Sequence, residues 1–428
     1  MDILREYIRT ICGFHPNVKL LLLRSFVICL YTGIYGILFN LYILNLGYGA
    51  DFLGLVLSSH VLASSAMSVP AGILCDRFDK KRLMVLAGLF SFLTALPLYL
   101  IPSAWSLLLF SIVAGVFVSI SSVVLTPMLA EYCTKEDTVH VFSANSSISW
   151  IASILGCALG GIVPGMLGVF AGVKADSLRL TLLTAAVVLL VMGLVITMLI
   201  KERKSAPKTQ CTAFSLKSLK FSLSPDVMKF TLTSLTFGVA SGMIVPYFNV
   251  YFTQALHMSV LDVGLISAFA GVIMIGGFII TPYLTSKIGK IRAACLSKMI
   301  AAPFLMLLAF TQSFLMAAGA FIVYQFFINM AGPATTSFQM EQIQQKEQGF
   351  AVGMMMTGNY IAVSLSTFVS GLLIAGGNYL LPFIGTCAFY LITAALLYYY
   401  FKDTERPFRV PLTTPLPKAA YTAIVDLD

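Results

Sequence analysis

Two ionisable side chains stand inside long apolar runs of this sequence, Arg24 in LLLLRSFVICLY and His60 in LGLVLSSHVLA. Arg24 lies about 7 Å of helix beyond Lys19, at 1.5 Å per residue. At that depth an arginine either snorkels to the inner membrane surface or reaches an anionic ligand. His60 falls near the middle of its run, where it either titrates against a substrate or serves as a hydrogen-bonded packing histidine. No acid is placed so deep: Glu131 and Glu341 fall near one set of run ends, Asp51 and Asp262 near the other. The eight cysteines form no CxxC, and no HExxH, GxGD or His/Asp cluster is present. Catalytic, metal and cofactor sites are therefore not expected, and the chain does not read as an enzyme.

The remaining polar residues are striped. Gln325, Asn329, Gly332 and Thr336 recur at i, i+4, i+7 and i+11, on one helical face. Ser111, Gly115, Ser119, Ser122 and Thr126 do the same earlier in the chain, while Tyr31, Tyr35 and Tyr42 mark one run and Phe237, Ser241 and Phe248 another. Such stripes either line a cavity for a neutral or amphipathic organic molecule or form the small-residue seams along which membrane helices pack. The candidate cavity residues are Arg24, Tyr31, Tyr35, Ser119, Ser241, Gln325 and Asn329.

The elements that must position these side chains are membrane helices. The chain is 58% hydrophobic and only 11% charged, with mean hydropathy +0.91, too little charge to coat a soluble surface. Twelve apolar stretches of spanning length occur between residues 19 and 401, and backbone groups exposed to lipid require each to be helical. All of the 27 basic residues except Lys174 and Arg179 fall on one side of the resulting topology. The positive-inside rule then puts both termini in the cytoplasm. The net charge of +9 is accounted for by topology rather than by nucleic acid. Residues 1–201 form one six-helix bundle, 202–227 a polar cytoplasmic linker, 228–402 a second bundle and 403–428 a cytoplasmic tail. The two bundles repeat at a displacement of about 210 residues: Gly54-Leu55 falls on Gly264-Leu265, Asp76-Arg77 on Ser286-Lys287, and Glu131 on Glu341.

Between the second and third runs lies Ala71-Gly72-Ile73-Leu74-Cys75-Asp76-Arg77-Phe78-Asp79-Lys80-Lys81-Arg82. It resembles the G-x-L-x-D-R-x-G-R-K signature of the major facilitator superfamily, with Asp79 in place of the usual glycine. A degenerate second copy runs from Pro282 to Lys290. Gly72 is a position where two helices can approach closely. The resemblance implies an all-α membrane protein of twelve helices in two pseudo-symmetric bundles. In that family the first, fourth, seventh and tenth helices line the pathway, and the third, sixth, ninth and twelfth face lipid. It further implies that Asp76 joins a gating charge network at the rim, with Arg77, Arg82, Glu131 and Glu341 nearby. Proton-driven drug antiporters of the family carry an arginine in the fourth helix where Ser111 stands here, and the fifth-helix antiporter glycines survive loosely as Gly156, Gly160, Gly161 and Gly165. The resulting expectation is a monomeric secondary transporter in the plasma (inner) membrane, surrounded by lipid. It would move a small organic solute by alternating access, with export of amphipathic compounds first and uptake of a metabolite or organic anion second. A proton is the candidate coupling ion. The reading from another class is a non-transporting membrane receptor or scaffold.

Overall fold

The computed structural model describes residues 14–132, 138–171, 176–201, 224–330, 332–343 and 348–402. Residues 202–223 of the linker placed at 202–227, and the tail at 403–428, lie outside the described residues; the last residues of that linker belong to the seventh helix, which starts at Pro225 behind its Ser224 cap. Among the described residues, eleven helices are long and apolar enough to cross a membrane. In order they are Pro16–Asn45, Ala50–Arg77, Lys80–Leu100, Ala104–Glu131, Thr138–Ala171 and the π-interrupted Ser177–Leu199 in the first half. The second half supplies Pro225–Ala255, Val260–Ile288, Lys290–Phe310, Gln348–Ala375 and Leu380–Phe401. A shorter apolar helix, Phe314–Met330, followed after residue 331 by Gly332–Gln342, makes the tenth and completes twelve.

Helix starts and ends repeat at the displacement seen in the sequence. Pro16 is matched by Pro225, Ala50 by Val260, Lys80 by Lys290, Ala104 by Phe314, and Glu131 by Glu341 near the end of the tenth helix. The first and seventh helices both open with proline, whose absent N–H costs nothing at a helix start. Two ion pairs repeat as well: Lys80 Nζ donates to Glu131 at 2.8 Å, and Lys290 Nζ to Glu341. Each joins the start of one helix to the end of the next on the same face of the bundle. That face, from which the first helix starts, is called the basic face below; the opposite one is the far face.

The departure from the signature motif has a local reason. Asp79 is the N-cap of the third helix, its carboxylate accepting from the Arg82 N–H at 3.0 Å. In the second copy Gly289 occupies the equivalent turn at φ +94°, a conformation open to glycine and costly for other residues. The two halves make the same turn by different means.

The seventh helix is broken where Pro246 sits. Proline has no N–H for the carbonyl of Gly242, and that carbonyl instead accepts from Thr367 Oγ1 at 2.9 Å. The next carbonyl, of Met243, accepts from Ser370, and the carbonyl of Pro246 accepts from Asn40 Nδ2 at 2.6 Å. Arg179, which lies at the far face, is explained in the same terms. Its guanidinium donates to the carbonyls of Tyr99 and Leu100 at 2.7 and 3.3 Å, closing the end of the third helix.

Candidate functional site

The two halves touch along the part of their length nearest the far face. Asn40 of the first helix donates to Asn249 Oδ1 of the seventh at 2.9 Å, and Asn249 Nδ2 returns bonds to the carbonyls of Gly36 and Ile37. Ser364 of the eleventh helix donates to the Ser58 carbonyl of the second at 2.8 Å. Glycines make the closest approaches. A Cβ on Gly161 would lie 3.0 Å from the Gly264 Cα, and one on Gly54 3.0 Å from the Gly371 Cα. Nearer the basic face, glycines such as Gly72, Gly276 and Gly353 have nothing within 4 Å of where a Cβ would stand. The space between the bundles therefore opens toward the basic face.

In the first half a cavity of ≈ 420 Å³ is lined by all six helices. Arg24 is its charge. The residue is 4% exposed; Nε donates to Thr197 Oγ1 at 3.0 Å and a terminal nitrogen to Ser121 Oγ at 2.6 Å. The guanidinium is turned into the bundle: its two hydroxyl partners stand on the sixth and fourth helices. Tyr31 and Tyr35 line the same cavity, Tyr31 sharing a 2.8 Å hydrogen bond with Tyr99 and Tyr35 stacked on Phe39 at 4.4 Å. His60 also lines it, with Nδ1 3.0 Å from the Ser111 carbonyl. A carbonyl only accepts, so Nδ1 carries the proton. Two further lining hydroxyls, on Ser25 and Ser111, are buried and have no hydrogen-bond partner. Orphaned polar groups of this kind are stabilised by a ligand or ordered water that supplies the missing bond.

In the second half a cavity of ≈ 410 Å³ is lined by Thr233, Phe237, Thr336, Gln339, Asn359 and Thr393, among others, and by Lys298. Sequence reasoning grouped Lys298 with the basic-face residues because Lys287, Lys290 and Arg292 precede it. That placement is corrected here: Lys298 lies two turns inside the ninth helix and is 5% exposed. Its Nζ is 3.5 Å from the Ala294 carbonyl and 5.6 Å from the centre of the Phe237 ring. The signal available in the sequence was its spacing of eight residues from the helix start at Lys290, deep enough to leave the surface. Neither cavity has an Asp or Glu in its lining, and among the described residues neither Arg24 nor Lys298 is paired with a carboxylate.

Other expected residues lie elsewhere. Ser119 is buried, Ser241 donates to its own helix at Gly238, and Asn329 donates to Gln325; none of these four lines either cavity. Other members of their stripes do reach a cavity: Ser111 and Ser122 in the first half, and Phe237, Gly332 and Thr336 in the second. The third, sixth, ninth and twelfth helices expose apolar side chains such as Phe90, Val188, Met299 and Ile392, yet each also turns a residue inward. Gly88 of the third, Thr197 of the sixth, Lys298 of the ninth and Thr393 of the twelfth all reach a cavity, because each cavity sits within a half rather than only between halves. Gly72 marks no close approach here, since a Cβ on it would meet nothing within 4 Å. Arg77 and Arg82 are exposed, Glu131 is held by Lys80 and Glu341 by Lys290. The Asp76 side chain lies outside the described residues.

Comparison with known proteins fits this architecture. The chain superposes on a crystal structure of a bacterial homologue of the human lysosomal transporter Spinster in an inward-facing, occupied conformation, with TM-score 0.76 and 13% identity over 91% of this chain and 98% of that one. The nucleoside transporter NupG gives TM-score 0.70 and 16% identity over 91% and 99%. A D-xylose–proton symporter gives 0.68 and 15% over 92% and 97%. At these identities the likeness is one of fold. No curated protein sequence matches the chain significantly. The family model described as Major Facilitator Superfamily matches residues 21–367, and with twelve helices in two repeated halves around a pair of membrane-embedded cavities, this chain belongs to the major facilitator superfamily of transporters.

Proposed function

We propose that this chain carries a small organic anion with an apolar or aromatic body across the membrane by alternating access. The observation that supports it best is Arg24, buried in a cavity of aromatic rings and hydroxyls with no carboxylate partner. A lone charge held out of water costs several kcal/mol unless something pairs with it, and intramembrane charges that face a cavity are most readily explained by a substrate. Ser25, next to Arg24 in the chain and with unmet hydrogen-bonding capacity, suits the oxygens of a carboxylate or phosphate, and Ser111 leaves a second unmet hydroxyl farther along the same cavity, beside His60. The tyrosines offer an amphipathic wall for the rest of the molecule. A cationic drug finds no acid in either lining, which favours the anion over general export of amphipathic compounds.

The basic face is cytoplasmic in this reading, by the positive-inside rule, so the state described is open inward. Rocking of the halves would part the Gly161–Gly264 and Gly54–Gly371 contacts and close the basic face, where Asp76, Arg77 and the two lysine–glutamate pairs stand. Direction follows from the coupling gradient, and export and uptake would use the same site. The test is flux of radiolabelled organic anions into proteoliposomes, with and without a proton gradient, for the native protein and Arg24→Ala. Anion flux that depends on Arg24 is the expected result. Undiminished anion flux by the variant, or selective flux of cations by the native protein, would overturn the reading.

A further inference from the structure

We propose that the second-half cavity is a second anion site with Lys298 as its charge, so that the transported molecule is a dianion held at both ends. This rests on the anion reading of Arg24 and extends it.

The repeat carries the argument. At the displacement of 210 residues Arg24 corresponds to Ser234 and Lys298 to Gly88. Ser234 lines the second-half cavity and Gly88 lines the first-half cavity. The cavities are thus equivalent places in the two bundles, each furnished with one cation, but from different helices. In the first half the cation comes from the first helix, in the second from the ninth. Each cation is the ninth residue of a helix that starts at the basic face, Pro16–Asn45 or Lys290–Phe310, which places both about 12 Å along their helices. Each bundle thus holds one cation at the same helical distance from its own start at the basic face.

Lys298 has little to hold it. Its contacts are one long bond to the Ala294 carbonyl and the face of Phe237, while an ammonium has three protons to donate. Gln339 and Asn359 line the same space and carry amide N–H groups that can donate to an anionic group, whereas the hydroxyls of Thr233 and Thr336 donate to carbonyls of their own helices. Asn359 Nδ2 already donates to the Ser234 carbonyl, which leaves its other groups for a ligand.

Alternating access gives the pairing its consequence. Even while the chamber is open both cations are largely buried, with only a small part of each side chain exposed. When the basic face closes, water is lost from the chamber and the two like charges share an occluded space of low dielectric. A monoanion on Arg24 would leave Lys298 bare; a dianion neutralises both. Substrate class and closure are coupled through the same two side chains.

The experiment is ligand-dependent thermal stabilisation and calorimetry on the purified full chain in detergent. The probes are octanoate as monoanion, the α,ω-dicarboxylates from succinate to sebacate, and sulfate. The expected result is that one dicarboxylate binds the native protein at least about tenfold tighter than octanoate, the size of one charge-assisted hydrogen bond. Lys298→Met would abolish that preference, Lys298→Arg would keep it, and Arg24→Gln would weaken both classes. Lys298→Met would also unfold at a higher temperature than the native protein without ligand, since a buried unpaired charge is gone; a purely structural lysine would give the opposite. If octanoate binds through Arg24 while dicarboxylates gain nothing and Lys298→Met alters no ligand, the second site is wrong and the anion reading stands. Sulfate binding that needs Lys298, with dicarboxylates no better than octanoate, would place a separate inorganic anion there and overturn the dianion. Binding by none of the probes would overturn both proposals.

Discussion

Gly264→Ala is a one-carbon perturbation aimed at the contact between halves. An ideal Cβ at Gly264 would lie 2.6 Å from the Gly161 Cα and 2.8 Å from the Cys157 carbonyl oxygen and the Gly161 nitrogen. All three atoms are backbone, so no side chain can turn aside. Carbon atoms are at rest about 3.5–4.0 Å apart, and the fifth and eighth helices would have to separate by about 1 Å. Forcing a methyl into a filled contact costs about 1–3 kcal/mol. The two helices belong to different bundles, so the cost falls on the state in which the far face is closed and vanishes when that face opens. At 1.4 kcal/mol per factor of ten, the balance moves by about 5- to 150-fold toward the far-face-open state. A carrier resting at about 99:1 would shift to between about 95:5 and 40:60.

The assay is pulsed dipolar spectroscopy on a cysteine-depleted background. Asp51 and His257 would carry the far-face label pair, Arg77 and Lys287 the basic-face pair. The substitution should add a longer population at the far face and a shorter one at the basic face. If both distributions stay as in the parent while the unfolding temperature falls, the contact is ordinary packing within one rigid body and the gate reasoning fails.

Two further perturbations separate the gate from the fold. Asn249→Leu removes the bonds from Asn40 and to Gly36 and Ile37, leaving one buried Asn40 N–H unmet, while the other still reaches the Pro246 carbonyl, at about 1–3 kcal/mol. It should shift the same label distances in the same direction as Gly264→Ala, and a shift the other way would contradict the placement of the far-face contact. Asp79→Ala should lower stability by about 1 kcal/mol through loss of the third-helix cap, whereas Asp79→Gly, the residue usual in the family signature, should cost only a few tenths; equal losses in denaturant titrations would show that the cap bond of Asp79 to Arg82 contributes nothing.

Much of the architecture was written in the sequence because lipid imposes one-dimensional rules. A helix crossing hydrocarbon must satisfy its own backbone, so spans announce themselves as apolar runs, and basic residues collect on one face. Duplication leaves its displacement in residues such as Glu131 and Glu341, which the structure joins to Lys80 and Lys290. Arg24 was legible as a candidate because a charge inside an apolar run is costly wherever it points. Where it points was not legible: its partners, Ser121 and Thr197, are 97 and 173 residues away in the chain.

Lys298 escaped for the complementary reason. Three basic neighbours in sequence made it look like part of a rim, and only packing of the ninth helix against the rest of its bundle turned it inward. Gln325 and Asn329 had the opposite fate, periodic in sequence yet bonded to each other in space. Periodicity states which side chains share a helical face; which face meets a cavity is decided by the neighbouring helices. The closed far face likewise depends on glycines about 100 or more residues apart meeting backbone to backbone, a coincidence of tertiary geometry that no local pattern records.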